Sequence, residues 1–475
     1  MNLPPPFDTA RGPVHFMGVA GAGMAPLAEL FLRSGLRVTG CDIQPWPGAG
    51  ALASLGCQVH EGHHPEHLDQ ASVLVVTAAV PPDHPEIQRA RASGIPVMKR
   101  AEALGAWVNR GRVLAVAGSH GKTTTTAMAT EILAAAGIDP TGLVGGRVLA
   151  WESNLRFGGG PHFVVEADEF DCSFHHLRPQ VAVVTSVEAD HLDVFQDLEG
   201  VQEAFRVFLE GVSPEGKVAV CGDDHGASRL LPALKGKART YGLNPGAQLR
   251  GELIREEGPG ATLSVWEEGC HRGEIVLNVP GRANAQNALG AALGARMAGA
   301  DWESIRRGLE AFQGVGRRFE LLGEVGGVAV VDDYAHHPTE IRATLAAARS
   351  RFPGRRIVAV FQPHLFSRTR DFAREFGEAL SGADEVWVTE IYPARERPIP
   401  GVTGVLVAQA ALDAGAPSVS FHPELSGLPG EMVPGLKEGD VCLTMGAGSI
   451  ELLGEDILGA LRRDRGGPGE GGVTP

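Results

Sequence analysis

The stretch at residues 118–124 contains residue types that bind phosphate. It reads Gly-Ser-His-Gly-Lys-Thr-Thr, follows a short apolar run at 113–117 and precedes a helical pattern. Glycines let the backbone curl so that successive N–H groups point at anionic oxygens, and a helix N-terminus adds partial positive charge. We expect Lys122 to reach nucleotide phosphates and the hydroxyl of Thr123 or Thr124 to hold Mg²⁺. The residues of this predicted ATP loop are Gly118, Ser119, His120, Gly121, Lys122, Thr123 and Thr124.

The loop is two residues shorter than the common G-x-x-x-x-G-K-[ST] form, which would place a glycine at Val116. The plain alternative is a glycine-rich turn between strand and helix with a solvated lysine. The succession of strand, Gly-Lys-Thr and helix favours phosphate binding.

Carboxylates follow two later apolar runs. The first run, 162–166, leads into Glu166, Asp168, Glu169 and Asp171, and the second, 181–186, leads into an acidic segment that contains His191. The carboxyl ends of parallel strands meet at one edge of a sheet, so these groups would face the loop. Because Mg²⁺ prefers hard oxygen ligands, the pattern favours a magnesium site over a solvated acidic turn.

A second glycine turn lies near the N-terminus. Gly18, Gly21 and Gly23 follow an apolar run at 14–19, and the next predicted strand ends at Asp42. The spacing is G-x-x-G-x-G instead of G-x-G-x-x-G, so the motif alone indicates a dinucleotide fold only weakly. Asp42 is interpreted either as a contact to a ribose hydroxyl or as a turn residue at the strand end.

Further polar groups stand at helix and strand ends in the rest of the chain. Asn284 and Asn287, one helical turn apart, could hydrogen-bond a flat heterocycle or act as a helix cap and a core amide. Two apolar runs, 328–332 and 356–361, are each followed by histidines and other polar residues. The candidates there are Tyr334, His336, His337, His364 and Arg368.

These patterns predict an α/β protein of three domains. We expect a Rossmann-like domain at 1–110, a central P-loop ATPase-type domain with a small antiparallel region at 111–320, and a Rossmann-like domain at 321–475. The antiparallel region is placed at 238–280, where short alternating segments occur. A Gly- and Pro-rich tail at 464–475 is predicted to be disordered.

Composition excludes several classes of protein. The net charge of −15 argues against sequence-independent nucleic-acid binding. The N-terminus lacks a signal-peptide pattern, and no apolar run reaches the length of about 18 residues that indicates a membrane span. The six cysteines form no C-x-x-C pair, which favours reduced thiols in a cytoplasmic protein over a disulfide frame or a zinc site.

Taken together, the motifs resemble the Mur ligases, which make the peptide of bacterial cell walls, over nearly the whole chain. The shortened loop, Glu-Ala-Asp-Glu at 166–169 and Glu-Ala-Asp-His at 188–191 are similar to family motifs. So are Gly-Val-Gly-Arg-Arg-Phe-Glu at 314–320 and Asp-Asp-Tyr-Ala-His-His-Pro-Thr-Glu at 332–340. The resemblance is strongest to the member that adds the first amino acid.

The chain departs from the family pattern at a few positions. Ala20, Ser119 and Phe170 replace a glycine, a threonine and a serine of the family motifs, and Ala283 stands where a histidine is usual. Several family members carry a carbamylated lysine that helps to hold a second Mg²⁺. No lysine lies between Lys122 and Lys217, so that device is absent, and Arg206 is a speculative replacement.

The resemblance implies an ATP- and Mg²⁺-dependent ligation of L-alanine to the lactyl carboxylate of UDP-N-acetylmuramate through an acyl phosphate. It implies that Lys122 binds the β/γ-phosphates, that Thr123, Glu166 and His191 ligate metal, and that closure of three domains precedes chemistry. Asn284, Asn287, Tyr334 and His337 would contact the nucleotide. The remaining implied groups are Gly18, Gly21, Gly23, Asp42 and Arg317 for the muramyl nucleotide, and His336, His364 and Arg368 for alanine.

Other functions remain open at this point. A murein-peptide-recycling ligase would join a peptide to the same nucleotide sugar, and Phe170 favours it mildly. A nicotinamide-dependent oxidoreductase would leave Lys122 and the acidic strand ends unexplained, and a P-loop motor would need no amino acid. We expect a monomer or homodimer that binds neither nucleic acid nor membrane.

Overall fold

The computed structural model describes residues 7, 12–43, 49–77, 79–189, 195, 197–256, 258–394 and 396–465. The chain divides into two compact units. The first contains residues 1–251, 265–273 and 286–312, and the second contains 252–264, 274–285 and 313–475. Each is described by itself. No helix among the described residues is long and apolar enough to cross a membrane.

The first sheet of unit 1 is five-stranded and parallel, with the strand order β3-β2-β1-β4-β5. Its central strands are short apolar runs buried on both faces, because helices cover both sides of such a sheet. The strands are β1 Val14–Met17, β2 Val38–Asp42, β3 Gln58–Glu61, β4 Val73–Val76 and β5 Val97–Lys99. The helices are α1 Met24–Arg33, α2 Ala49–Ser54, α3 Pro85–Ala92 and α4 Arg100–Val108.

The second sheet has ten strands in the order β15-β14-β13-β12-β11-β10-β6-β9-β7-β8. Its centre is parallel, and β7 pairs antiparallel with β8. The central strands are β6 Arg112–Ala117, β7 Thr141–Val148, β8 Ser153–Arg156, β9 His162–Ala167 and β10 Val181–Val184. The others are β11 Lys217–Cys221, β12 Ala238–Gly242, β13 Leu249–Arg255, β14 Ala261–Glu267 and β15 Cys270–Leu277.

The region predicted to be antiparallel begins with parallel pairing. β12 pairs parallel with both β11 and β13, so the prediction for 238–280 is wrong at its start.

The helices that accompany the ten-stranded sheet are α5 Lys122–Ala135, α6 Leu198–Glu210, α7 His225–Ser228, α8 Arg282–Met297 and α9 Trp302–Ala311.

The sheet of unit 2 has six strands in the order β16-β17-β21-β18-β19-β20 and is parallel except for β16. The strands are β16 Glu320–Val325, β17 Val328–Asp333, β18 Ile357–Phe361, β19 Glu385–Val388, β20 Val419–Phe421 and β21 Val441–Met445. The helices are α10 Pro338–Arg351, α11 Phe366–Leu380, α12 Val405–Asp413, α13 Leu428–Met432 and α14 Leu453–Asp464.

Ordered structure extends into the segment predicted to be a disordered tail. Asp464 is the last residue of α14, and the guanidinium of Arg465 donates to the carbonyl oxygens of Gly326 and Leu436. The prediction is therefore wrong at these two positions. Residues 466–475 lie outside the described part of the chain.

Candidate active site

The predicted ATP loop joins β6 to α5 and has the expected backbone. Gly121 precedes α5 in the left-handed conformation, with φ of 80°. Gly118 has φ of 148°, and a Cβ there would lie 1.9 Å from the hydroxyl of Thr185. A side chain at either glycine would therefore be strained or would clash, and Thr123 and Thr124 are buried in the first turn of α5.

Hydrogen bonds from the segment after β10 hold the ATP loop in place. The N–H of His120 donates to the hydroxyl of Ser186 over 2.9 Å, and the N–H of Glu188 donates to the hydroxyl of Ser119 over 2.9 Å. The imidazole Nε2 of His120 lies 3.6 Å from a carboxylate oxygen of Glu188. These contacts fix the loop to the strand end that follows β10.

Lys122 is buried against carboxylates. Its ammonium donates to both carboxylate oxygens of Glu169, over 2.8 and 3.0 Å, and to the carbonyl oxygen of Gly118 over 2.6 Å. Burial alone would lower the pKa of Lys122, but the charges of Glu169, Asp168 and Glu166 outweigh it and raise that pKa above its ordinary value. The lysine is therefore a fixed cation at the centre of the loop.

Glu166 stands at the predicted magnesium position. One of its carboxylate oxygens accepts a hydrogen bond from the Thr123 hydroxyl over 3.0 Å, and the other accepts from the N–H of Gly145 over 2.7 Å. Hydroxyl and carboxylate oxygens so close together are the donor set that Mg²⁺ prefers, so these two residues fit a magnesium ion. The prediction that Thr123 and Glu166 act together has this geometric support.

The other predicted metal ligands have no such geometric support among the described residues. His191 lies outside the described residues, as does Asp190. Arg206, considered as a replacement for a carbamylated lysine, lies half-exposed on α6 and pairs with Glu203. It carries no sign of a role at the loop.

The N-terminal glycine turn contains the predicted residues in the predicted order. Gly18 has φ of 80°, and Gly23 is the residue before α1. The carboxylate of Asp42 accepts from the N–H of Ala20 over 2.8 Å and from the N–H of Ile43. Asp42 thus stabilises the turn, which matches the simpler of the two interpretations made from sequence.

A cavity of about 300 Å³ connects this turn with the acids of the central sheet. The turn contributes Gly21 and Gly23, and the end of β9 contributes Glu166 and Asp168. The guanidinium of Arg100, at the start of α4, lies about 3.1 Å from where a Cβ on Gly23 would be. A cation beside a helix N-terminus is suited to a diphosphate.

The two asparagines of α8 have different surroundings. The side-chain oxygen of Asn287 lies against the ATP loop, since a Cβ on Gly121 would be 2.4 Å from it. The side-chain nitrogen of Asn284 donates to the carbonyl oxygen of Pro280 over 2.8 Å. Only Asn287 is described in the same unit as the loop, and adenine contact by either stays a prediction.

In unit 2, the segment after β17 gathers titratable groups. Burial raises the pKa of Asp333 to about 6, although Arg318 opposes that shift. The imidazole of His336 lies 2.9 Å from the carbonyl oxygen of Tyr334. His337 is buried at the start of α10, where its Nδ1 accepts from the N–H of Thr339. His337 thus caps a helix, and its predicted nucleotide contact stays a prediction.

The predicted alanine-site residues lie together. Arg368 is buried at the start of α11, and its Nη1 lies 3.3 Å from Nδ1 of His364. The ring centroids of His364 and His336 are 5.8 Å apart, and that of Tyr392 lies 5.9 Å from His364. A buried guanidinium beside imidazoles is suited to a small carboxylate.

Arg317 is already engaged inside unit 2. Its guanidinium donates to Asp332 over 2.9 Å, to the carbonyl oxygen of Gly446 over 2.7 Å, and to Glu451 over 3.2 Å. These bonds join the ends of β17 and β21. The structure gives Arg317 this structural role, and its predicted grip on the muramyl substrate stays a prediction.

Sequence reasoning left two functional candidates unassigned. Glu169, the partner of Lys122, was visible only as one of several acids after β9. Arg100 carried no motif, and only the fold brings it to the glycine turn. The one available signal for Glu169 was its position in the acidic run, which does not say which carboxylate meets the lysine.

A phosphate-binding loop facing acidic strand ends, in a chain with two further largely parallel α/β sheets, defines a multidomain nucleotide-binding enzyme. Three family models match in succession: the Mur ligase family catalytic domain at 13–112, the Mur ligase middle domain at 116–295, and the Mur ligase glutamate ligase domain at 317–448. The chain belongs to the Mur ligase family.

Relatives match over nearly the full length. The UDP-N-acetylmuramate–L-alanine ligase of Salinibacter ruber is 43% identical over 454 residues, covering 95% of this chain and 96% of that protein. The ligase of the same name from Rubrobacter xylanophilus is 46% identical over 452 residues, covering 94% and 100%.

Solved structures agree in fold. The UDP-N-acetylmuramate-alanine ligase of Thermotoga maritima has a TM-score of 0.80 at 28% identity and covers 95% of this chain and 99% of its own. A murein peptide ligase from Psychrobacter arcticus has a TM-score of 0.68 at 27% identity and covers 94% and 98%. The three-domain α/β architecture expected from sequence is confirmed, whereas the domain boundaries stay predictions.

Proposed function

We propose that this chain ligates L-alanine to the lactyl carboxylate of UDP-N-acetylmuramate at the expense of ATP. One observation carries the proposal: the N-terminal glycine turn and the acids beside the ATP loop line the same cavity. A nucleotide sugar on the turn would therefore extend toward the groups that handle ATP. The names of the relatives at 43–46% identity point to the same substrates.

ATP would bind with its phosphates on the loop at 118–124. The backbone N–H groups and the N-terminus of α5 supply donors, and Lys122 supplies a cation. The ammonium of Lys122 donates to both carboxylate oxygens of Glu169. The γ-phosphate would take over part of this contact.

Thr123 and Glu166 would hold Mg²⁺ through their neighbouring oxygens. The ion supplies charge neutralisation at the phosphates when it is bound. His191 remains a predicted ligand of a second metal ion.

The first chemical step would be attack of a lactyl carboxylate oxygen on the γ-phosphorus. The bond from that phosphorus to the bridging oxygen breaks, ADP leaves, and an acyl phosphate forms. Lys122 would stabilise the charge on the transferring phosphoryl oxygens. Catalysis at this step is mainly positioning and electrostatic stabilisation.

The second step would be attack of the alanine amine on the acyl carbon. The carbon–nitrogen bond forms, phosphate leaves, and the amine gives up its proton. Arg368 would bind the alanine carboxylate as a planar fork, with His336 and His364 beside it. The N-terminus of α1 and Arg100 would hold the uridine diphosphate.

The direct test measures phosphate release from ATP with UDP-N-acetylmuramate and one amine donor at a time. The proposal expects release with L-alanine that depends on the nucleotide sugar, and product of the mass of UDP-N-acetylmuramoyl-alanine. Release with a tripeptide but not with alanine would assign the chain to peptide recycling. Release that needs neither acceptor would contradict both readings. Cytoplasmic location and a monomeric or homodimeric state stay predictions.

A further inference from the structure

A second cluster of ligand-type side chains lies on two strands of the first sheet and on two segments beside it, apart from the ATP loop. His15, Cys41, His67 and Glu86 each offer one nitrogen, sulfur or oxygen atom, and these four atoms lie within 4.8 Å of one another. We propose that the four residues form a structural site for a transition-metal dication, with Zn²⁺ as the preferred ion.

Three of the six distances between the ligand atoms fit a tetrahedral zinc site. Nε2 of His15 lies 3.4 Å from Sγ of Cys41, Nδ1 of His67 lies 3.2 Å from an oxygen of Glu86, and that oxygen lies 3.6 Å from the same sulfur. Zinc bonds of about 2.0–2.3 Å in tetrahedral geometry place neighbouring ligand atoms about 3.3–3.8 Å apart. The other pairs lie within 4.8 Å, so binding of an ion would draw these side chains closer together.

The chemistry of the ligands selects the ion. Imidazole and thiolate are soft or borderline ligands that suit zinc, cobalt or copper, whereas Mg²⁺ and Ca²⁺ take oxygen ligands. Four protein ligands fill a tetrahedral shell and leave no open position, which is typical of structural zinc sites.

Three of the four side chains are buried, and one of them is held by an outer hydrogen bond, as is usual for metal ligands. His15, Cys41 and Glu86 are fully buried, and the side chain of His67 is 13% exposed. The other ring nitrogen of His15, Nδ1, lies 2.8 Å from the hydroxyl of Thr39, which leaves Nε2 to face the cluster. Such outer contacts fix the orientation of ligating imidazoles.

Further histidines surround the four. Nδ1 of His63 lies 3.0 Å from the sulfur of Cys41, and the ring of His60 stacks on that of His67 with centroids 4.4 Å apart. His63 is thus an outer partner of the cysteine, and His60 supports the ring of His67.

Metal at this position would tie four elements together. His15 lies on β1, Cys41 on β2, His67 on the short 3₁₀ segment after β3, and Glu86 in the first turn of α3. The carbonyl oxygen of Cys41 accepts from the N–H of Gly18 over 2.8 Å. The site would therefore hold the base of the N-terminal glycine turn, whatever that turn binds.

The cysteine spacing could not reveal this site. The four ligands come from separate elements spread across more than 70 residues, so no short motif exists. The absence of a C-x-x-C pair favoured unligated thiols, and the fold instead places one of those thiols among imidazoles.

The experiment uses the full chain. Protein stripped with a chelator and dialysed against Mg²⁺ is titrated with Co²⁺, and the thiolate-to-cobalt charge-transfer absorption is followed. We expect the band to saturate at one ion per chain and to disappear when Zn²⁺ is added. A titration without a charge-transfer band would overturn the proposal, because the ligand set includes a thiolate.

Variants locate the ion. Cys41→Ser should abolish the band, and His67→Ala should weaken Co²⁺ binding at least about tenfold. Cys270→Ser is the matched control: it removes the exposed thiol, where adventitious metal would bind, and should keep the full band. If Cys270→Ser lost the band and His67→Ala kept it, the metal would be adventitious and the cluster only a hydrogen-bonded network. Should Cys41→Ser fail to fold, His67→Ala and Cys270→Ser still decide.

Thermal unfolding provides a readout besides absorbance. One equivalent of Zn²⁺ should raise the melting temperature of the stripped wild type and of Cys270→Ser by several degrees, because the ion binds only the folded chain. The same addition should leave His67→Ala nearly unchanged. An equal rise in all three proteins would contradict the proposed site.

Discussion

The ammonium of Lys122 and the carboxylate of Glu169 form a buried, two-bond ion pair, with distances of 2.8 and 3.0 Å. The side chain of Glu169 is 2% exposed and that of Lys122 is 12% exposed. The side chain is therefore not the solvated lysine of the plain alternative considered from sequence. Removing either partner would leave the other charge buried.

Lys122→Ala should therefore lose both activity and stability. We expect ligation to fall at least about a hundredfold, and the free energy of unfolding to fall by about 3 kcal/mol, since Glu169 is left uncompensated. Urea unfolding and the phosphate-release assay measure the two effects.

The double variant Lys122→Ala with Glu169→Gln separates these effects. It should recover more than half of the lost stability and none of the activity. Lys217→Ala, at the exposed start of β11, is the control and should behave as the wild type. Unchanged turnover in Lys122→Ala would remove the loop from the mechanism.

Glu166→Gln should raise the Mg²⁺ concentration needed for half-maximal activity by about tenfold or more, because one charged oxygen ligand is lost. The measurement is activity against free Mg²⁺ at saturating substrates. Asp171→Asn, in the same acidic run but paired with Lys99, should show the wild-type dependence. Matching curves for Glu166→Gln and wild type would exclude Glu166 as a ligand.

Arg368→Lys should raise the KM for alanine roughly ten- to hundredfold and leave the KM for ATP and the nucleotide sugar nearly unchanged. Lysine keeps the charge but loses one of two parallel hydrogen bonds, a loss on the order of 1.5–3 kcal/mol. Steady-state kinetics with each substrate varied in turn measures this.

Arg370→Lys is the matched control for Arg368. The side chain of Arg370 is 55% exposed and pairs with Asp371, so its replacement should change none of the three constants. If Arg370→Lys instead raised the KM for alanine, that arginine would be the one that binds the carboxylate.

Asp333 should make the chain less stable as the pH rises from 4 to 7. Its pKa is raised by burial from 3.8 to about 6, so between these values the folded state binds more protons than the unfolded state, and stability falls with rising pH. The cost is fully present above the folded pKa and amounts to about 3 kcal/mol at pH 7.

Asp333→Asn tests this linkage. The difference in unfolding free energy between variant and wild type should shift in favour of the variant by about 2 kcal/mol from pH 4 to pH 7, because the unfolded carboxyl is already partly ionised at pH 4. The carboxylate of Asp333 accepts hydrogen bonds from the N–H groups of Phe319 and Ala335. Weakening of these bonds in the variant would change its unfolding free energy by an amount that does not vary with pH. A difference that stays flat across this range would contradict the raised pKa.

The elements that sequence predicts best are the buried parallel strands. β4 and β18 are uninterrupted apolar runs, β6 is apolar after Arg112, and β1 is apolar except for His15. The structure buries nearly every residue in these strands. The ATP loop was equally readable, because its glycines, lysine and threonines are contiguous in the sequence. Sequence pattern and structure agree wherever the conformation of a segment is determined by its own residues.

β7 was missed because its glycines weaken the strand pattern. The fold explains them: a Cβ on Gly142 would lie 2.6 Å from the side chain of Thr130, and the N–H of Gly145 donates to Glu166. These close approaches to residues outside the strand depend on the fold, and the pattern of the strand's own residues does not reveal them.

The choice among acids could not be predicted for the same reason. Glu166 binds Thr123, Glu169 binds Lys122, and Asp171 binds Lys99, although all three lie at or just after the end of β9. The acidic run is visible in the sequence. The turn after β9, which has positive φ at Asp171 and Cys172, directs its carboxylates toward different partners.

The clearance at Gly118 has a consequence for protein engineering. Since the hydroxyl of Thr185 fills the space where a Cβ would stand, the loop is shaped by a side chain just after β10, which is distant in sequence. A transplant of residues 118–124 alone into another strand-turn-helix scaffold would transfer the motif residues without the side chain that shapes their backbone. A functional graft would have to carry the end of β10 with it.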